Sequence, residues 1–413
     1  MLPSQWSMAA SKTGLLAITS LGHFVNDGTT FFVPVVAALL ASGHGISPLE
    51  ITAMLVVYYT TSSLLSLYVG RWADRTGRPM GLMALGMALL GVGMAGFYVA
   101  LVLLSGAEGF ATAVVATFLV GFGGSFYHPL GATMLQAGYD RKDLGTALGI
   151  NGALGSVGRA IYPTLFFLVG LALTGGSSLL VFATVGLVSG LVMMRGGSAP
   201  HRSESTTPSG KAAPAKGAFT IGIVALTVVA FVRSAANLGI VAFLPTYLQY
   251  VRPLWAGAPL GVEVTIMYIG GIIGQPIFGL LVGRFDVRGL LAVSSLGSAL
   301  STIGFLLVSG TTTIGFLFLI GVFTFSAFPL LMSLSSEHVD RKSTSLANSL
   351  VFGLGTGAGG AIGPLLVGFF SSNHYDQLPV GFYAMAVLGI LAAAMVAAIP
   401  AAGSHRARMP LFG

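Results

Sequence analysis

The chain contains no cysteine. That excludes a disulfide framework, a thiol nucleophile and any cysteine-based metal site. Charge is nearly as scarce. Only 8% of the 413 residues are Asp, Glu, Lys or Arg, against about 25% in an ordinary soluble domain. A chain so depleted cannot coat a water-facing globule with polar groups, so its surface must face lipid. Acids are the scarcer sign, 12 Asp and Glu against 19 Lys and Arg. No phosphate-cradling P-loop is present, which removes that route to ATP. No nucleophile–base arrangement supports an enzyme. No cofactor is implied, and no His/acid cluster in the sequence points to a metal. The basic excess falls in short loops, so it reads as a topology signal and not as a nucleic-acid surface.

What the chain does have is apolar length. Hydrophobic residues make up 54%, and there are 59 glycines, small residues that let helices approach closely in a bilayer. The apolar runs are continuous, which suits spanning helices of about 20 residues and not alternating barrel strands. They predict twelve spans, near 14–41, 50–70, 80–104, 109–136, 144–171, 177–195, 218–249, 260–283, 289–309, 312–335, 344–371 and 379–401. The first run is read as a retained helix, because no clear cleavage site follows it. The stretch "GGSAPHRSESTTPSGKAAPAKG" (196–217) is the one long polar segment and reads as a flexible linker. It gives three parts: a six-helix bundle over 1–195, a linker over 196–217 and a second six-helix bundle over 218–413.

Placing the N-terminus inside puts every loop Lys and Arg in the cytoplasm except Arg252. By the positive-inside rule both termini are therefore expected to be cytoplasmic. The two halves also repeat. "NDGTTFFVP" (26–34) matches "NLGIVAFLP" (237–245), and "EITAM" with "VGRW" matches "EVTIM" with "VGRF". "HPL" then "DRK" (128–130, 140–142) matches "FPL" then "DRK" (328–330, 340–342), and "AIYP" (160–163) matches "AIGP" (361–364). Parallel six-helix copies are the usual architecture of secondary transporters.

A few polar residues interrupt the spans. Asp27 falls near the middle of the first, where a charged carboxylate costs on the order of 2.5–3.5 kcal/mol on insertion scales. It must take up a proton or pair with a cation. Desolvation disfavours the charged form and a nearby guanidinium favours it, so an Arg that approaches or withdraws would make Asp27 a proton switch. The plainer alternative is an Asp that locks the first helix to a neighbour. His23 lies four residues before Asp27 on the same helical face.

Arg159 and Arg233 fall deep in the fifth and seventh spans. Neither readily sheds its proton, and Asp27 is the one acid read as comparably deep. The excess positive charge argues for an anionic substrate, held bidentately by Arg. The alternative pairs one Arg with Asp27 and caps the other with carbonyls near glycine breaks. Asn26 and its counterpart Asn237 are candidate substrate contacts, with Arg233 four residues before Asn237. His128 reads either as a proton relay or as a partner for carbonyls freed by Pro129. Tyr162 could meet substrate or simply pack. Glu50 and Glu263 read as helix-dipole partners at the starts of the second and eighth spans.

The loop "GRWADRTGRP" (70–79) resembles the signature of the major facilitator superfamily, with Gly70, Asp74, Arg75, Gly77 and Arg78 at its positions. "LGHFVND" in the first span, "GGSFYHP" (123–129) in the fourth and the Gly-rich fifth are similar to the fosmidomycin-resistance family within it. Leu130 follows His128-Pro129 where some members carry an acid, and Arg159 follows Gly158 where the fifth-span motif usually has Gly-Pro. The resemblance implies an all-α major facilitator fold of two pseudo-symmetric bundles, in which spans one, four, seven and ten line the cavity. It also implies that Gly70, Arg71, Asp74, Arg75, Gly77 and Arg78 form a cytoplasmic gate; a solvated charge run is the alternative. The expectation is thus a multi-pass, monomeric protein of the cytoplasmic (inner) membrane. It would be a proton-coupled antiporter exporting small anionic compounds or drugs by alternating access. Its proton would be handled by Asp27, His23 and His128, and its substrate by Arg159, Arg233, Asn26, Asn237 and Tyr162. A proton-coupled importer or facilitator of an organic anion is the alternative.

Overall fold

A computed structural model describes residues 11–173, 176–196, 220–252, 258–339 and 347–401. Helices dominate them, and no strand occurs among the described residues. The order is α1 (Lys12–His44), α2 (Pro48–Thr76), α3 (Pro79–Tyr98), α4 (Gly106–Gly138), α5 (Arg141–Ala172), α6 (Ser178–Arg195), α7 (Ile221–Tyr250), α8 (Ala258–Leu281), α9 (Val287–Leu307), α10 (Thr312–Phe325), α11 (Ala327–His338), α12 (Gly359–Phe370) and α13 (Leu378–Met395). A π-helical turn, Val99–Leu103, extends α3, and a π-helical segment, Ser349–Ala358, leads into α12.

Among the described residues, 11 helices are long and apolar enough to cross a membrane, with α10 and α11 counted as one. The expected second span is present as the helix α2 but is not among the 11. It carries the hydroxyl run "YYTTSS" at 58–63. The linker after Gly196 lies outside the described residues. Many large apolar side chains are exposed along the helices, such as Leu171, Met194, Leu307, Phe369 and Val387. In water such a surface would aggregate; in lipid it is the required coat.

The helices fall into two compact units. One comprises Met1–Ile46, Ala53–Pro208 and Trp255–Thr265; the other comprises Ser47–Thr52, Ser209–Leu254 and Ile266–Gly413. In the first, α1 packs on α4 and α5, and α3 packs on α4 and α6. In the second, α7 packs on α11, the π-helical segment and α12, and α9 packs on α10 and α13. These are corresponding pairs, so the sequence repeat is matched by a repeat of packing. The units differ at one place. Helix α4 runs unbroken through His128-Pro129, whereas the corresponding span breaks at Ser326, just ahead of Phe328-Pro329. Pro329 therefore sits in the first turn of α11, where its missing N–H costs nothing.

The "RTGRP" turn follows from backbone geometry. Gly77 ends α2 with φ 61° and donates its N–H to the Ala73 carbonyl at 2.9 Å. An L side chain there would be strained. Pro79 then opens α3 at the first helical position, where proline is preorganised.

Candidate functional site

Asp27 is 1% exposed, within the apolar length of α1. Its carboxylate is enclosed by groups from three helices. Arg159 Nη2 of α5 donates to Oδ2 at 3.2 Å, and His23 Nε2 of α1 stands 3.5 Å from the same oxygen. His128 Nε2 of α4 stands 3.3 Å from Oδ1, which also accepts from Asn26 Nδ2 at 3.1 Å. The two oxygens therefore face different surroundings. The His23 side chain is 14% exposed and that of His128 is 59% exposed. Asp27 bridges a largely covered imidazole and an open one.

Glycines bring the helices this close. A Cβ at Gly155 would strike the His23 ring, and one at Gly158 would strike the Phe24 backbone. The glycine spacing of "GALGSVGRAIYP" is thus the imprint of α1 on α5. The Arg159 guanidinium also lies over the Phe31 ring, 4.4 Å from its centroid.

Two residues not singled out from sequence complete the cluster. Asn151, eight residues before Arg159 and on its face of α5, places Oδ1 2.9 Å from His23 Nδ1. Tyr127 stacks on the His23 ring at 4.7 Å and meets both Asn151 and the Thr19 carbonyl. The signal for Asn151 is its place at the head of the Gly155/Arg159 stripe; Tyr127 is hidden by the louder His128 beside it.

The remaining candidate residues sit in the following surroundings. Arg233 does not present a free guanidinium. Nε donates to Ser295 at 3.2 Å, Nη1 to the Thr324 carbonyl at 3.3 Å, and Nη2 to Ser294 at 2.8 Å and the Phe323 carbonyl at 2.7 Å. The break between α10 and α11 supplies those carbonyls, and the serines of α9 supply the rest. Asn237 belongs to the same cage, its Oδ1 accepting from Ser298 at 2.8 Å. Asn26 is tied to Asp27. Tyr162 is 1% exposed, with its ring over Gly28 and 4.5 Å from that of Phe182, so it packs α5 against α1 and α6. Glu263 is not an open helix start: it is the sixth residue of α8 and 2% exposed. The expected excess of two free cations over one deep acid therefore does not arise. Arg159 is paired, Arg233 is caged, and a second acid is buried.

Of the gate residues, Gly70, Gly77 and Arg78 flank the α2–α3 turn, and Arg71 and Arg75 are exposed beside Tyr68 and Trp72. The side chain of Asp74 lies outside the described residues.

His23, Asp27 and His128 each offer one ligand atom, all within 4.8 Å of one another, so a metal-sized donor set exists that the sequence did not announce. Arg159 opposes such use. Its fixed charge sits 3.2 Å from the same carboxylate, and a divalent ion there would meet strong repulsion. A proton, which can be shared among imidazole and carboxylate, suits the cluster better.

Comparison with known proteins agrees with this architecture. A bacterial homologue of the human lysosomal transporter Spinster superposes with a TM-score of 0.77 at 15% identity, covering 93% of this chain and 96% of that one. The nucleoside transporter NupG gives 0.73 at 14% identity, covering 93% and 98%. A peptide transporter, POT, solved with sulfate, gives 0.73 at 14% identity, covering 93% and 94%. In sequence, the fosmidomycin resistance protein of Escherichia coli (strain K12) is 28% identical over 203 residues, 48% of this chain and 48% of that one. The match thus spans about half the length of the relative. The Major Facilitator Superfamily model matches residues 19–351 and 254–408. This multi-pass membrane protein belongs to the Major Facilitator Superfamily.

Proposed function

We propose that the chain is a proton-coupled secondary transporter of small anionic compounds, working by alternating access. One observation carries the reading: a carboxylate 1% exposed in a membrane-length helix, with a guanidinium and two imidazoles within 3.5 Å. A carboxylate so placed is tolerable only when paired or protonated, so its charge state and its partners are linked. Asp27 carries the proton, His128 and His23 exchange it, and Arg159 meets the anion. On this reading twelve helices cross the cytoplasmic membrane, both termini are cytoplasmic, residues 70–78 gate that side, and the protein acts as a monomer.

The partial likeness to a fosmidomycin resistance protein supports export by antiport. The Arg159–Asp27 pair favours the second reading, import. At 3.2 Å from Asp27, Arg159 turns to an anion most easily once Asp27 is neutral, so proton and anion would load together. Proteoliposome flux separates the two, with fosmidomycin, a phosphonate, as the probe. With acid outside, antiport expels preloaded fosmidomycin and co-transport accumulates it. In both cases Asp27→Asn abolishes the response to the gradient. A pH-driven flux that survives in Asp27→Asn refutes the proton role.

A further inference from the structure

The Asp27 cluster continues into a chain of polar groups with one fixed end. Tyr127 Oη lies 2.9 Å from the Thr19 carbonyl oxygen, which can only accept, so the phenol donates there. The phenol has a single hydrogen. It accepts from Asn151 Nδ2 at 2.8 Å, the shorter of its two contacts with that amide, whose Oδ1 lies 3.0 Å away. That orientation of the amide turns Oδ1 toward His23 Nδ1 at 2.9 Å, and an amide oxygen there requires an N–H. Tyr127 is 2% and Asn151 5% exposed, so each is held in this arrangement by its neighbours.

The consequence appears at the other ring nitrogen. His23 Nε2 faces Asp27 Oδ2 at 3.5 Å. With Nδ1 already carrying a hydrogen, neutral His23 would point a bare lone pair at a carboxylate, which is repulsive. A single proton on the pair, on the His23 nitrogen or on the Asp27 carboxyl, relieves that repulsion. We infer that Asn151 is a positioning residue which, anchored by Tyr127 and Thr19, holds the His23 hydrogen on Nδ1 and makes the His23–Asp27 pair a one-proton acid with His128 as its open port. The inference rests on the reading of Asp27 as proton carrier. A proton from solvent bound on His128 Nε2 passes to Asp27 Oδ1, 3.3 Å away. The N–H bond breaks, the O–H bond forms, and His128 is left neutral. The titratable and charged groups facing His23 are Asp27 from α1, Tyr127 and His128 from α4, and Arg159 from α5. None of these supplies an acceptor to Nδ1, which leaves that role to Asn151.

The test is nitrogen NMR on the full chain in lipid nanodiscs, 15N-labelled at histidine, with His23 assigned by its loss in His23→Gln. The expected neutral His23 carries hydrogen on Nδ1 and titrates only at Nε2. In Asn151→Leu the neutral form moves to Nε2–H, and in Asn151→Asp it stays on Nδ1. A wild-type neutral form protonated at Nε2, or an unchanged tautomer in Asn151→Leu, overturns the inference. If Asn151→Leu does not fold, the wild-type spectrum decides alone. Fosmidomycin flux driven by a pH gradient in Asp27→Asn is the separate readout for the transport reading. A wild-type Nδ1–H tautomer with surviving flux sinks the transport reading and its one-proton consequence, but not the Asn151 assignment. Lost flux with an Nε2–H tautomer sinks the assignment alone.

Discussion

Helix α5 carries two glycines that should respond oppositely to the same substitution. A Cβ at Gly158 would lie 2.8 Å from the Phe24 carbonyl carbon and 2.9 Å from its Cα, and closer still to its oxygen. Ordinary contact begins at 3.4 Å, so α1 and α5 would have to part by about 0.6 Å or more. Neither backbone can rotate out of the way as a side chain could. A Cβ at Gly152 meets nothing within 4 Å. Both alanines gain the same helix propensity, about 0.8–1.0 kcal/mol, so the difference between them isolates the overpacking. That cost is about 1–3 kcal/mol, a few degrees in melting temperature. Arg159 follows Gly158, so the same displacement would stretch its 3.2 Å contact with Asp27. Purified Gly158→Ala should melt below Gly152→Ala and should lose pH-driven fosmidomycin flux where Gly152→Ala keeps it. Equal melting and equal flux would refute the close α1–α5 fit and the dependence of the ion pair on it.

Three further outcomes follow from the geometry. Arg159→Ala leaves a buried carboxylate without its guanidinium and should cost about 3–5 kcal/mol; adding Asp27→Asn should recover part of it, and a double-mutant cycle with no coupling energy would break the pairing argument. Arg233→Met strips the guanidinium donors from the Thr324 carbonyl, while the Phe323 carbonyl keeps Ser294 and Ser326; at about 1–3 kcal/mol for the group left unsatisfied, stability should fall; unchanged stability with lost fosmidomycin binding would return Arg233 to the anion. Gly77→Ala forces an L residue to φ 61° and should lower stability by about 1–2 kcal/mol, whereas Gly70→Ala, with open space and ordinary φ, should not; melting curves of the two variants decide it.

Some of this is legible in the sequence because the relevant physics is local. Helix spans follow from runs of apolar residues, and the His23–Asp27 pairing from a four-residue step on one face. Arg159 and His128 are recognisably deep, but only packing brings them to the two oxygens of one carboxylate. The alternative that pairs one Arg with Asp27 and caps the other with carbonyls is the arrangement found. What tips it is not visible span by span. The "SSLGS" run of α9 places Ser294 and Ser295 where a buried guanidinium needs acceptors and Ser298 against Asn237, and the α10–α11 break frees carbonyls beside them. A serine cluster in an apolar helix is the available signal, and hydropathy alone absorbs it into the span. Glu263 misleads for a similar reason: nearness to a helix start says nothing about what covers it.

The repeat makes the contrast between the units chemically specific. Asn26 and Asn237 hold matched places in α1 and α7, yet Asn26 donates to a carboxylate and Asn237 accepts from a serine. Position 27 is an acid in the first copy, and its counterpart Leu238 cannot ionise. Arg233 keeps its charge over the whole physiological range, and hydroxyls and carbonyls compensate it by dipoles that carry no net charge. A cage of that kind does not respond to pH in the physiological range, since none of its members changes charge there. The cluster around Asp27 has two imidazoles and an acid in contact, so proton number and ion pairing there are necessarily linked. If the carrier is driven by protons, the drive enters through the first unit, and the Arg233 cage holds a broken helix in register without sensing the gradient. Exchanging the two characters tests this division. Leu238→Asp should add a carboxylate beside the Arg233 cage without restoring pH-driven fosmidomycin flux to Asp27→Asn, because no histidine stands at position 328, the counterpart of His128. Restored flux would show that any buried acid suffices and that the histidines are incidental.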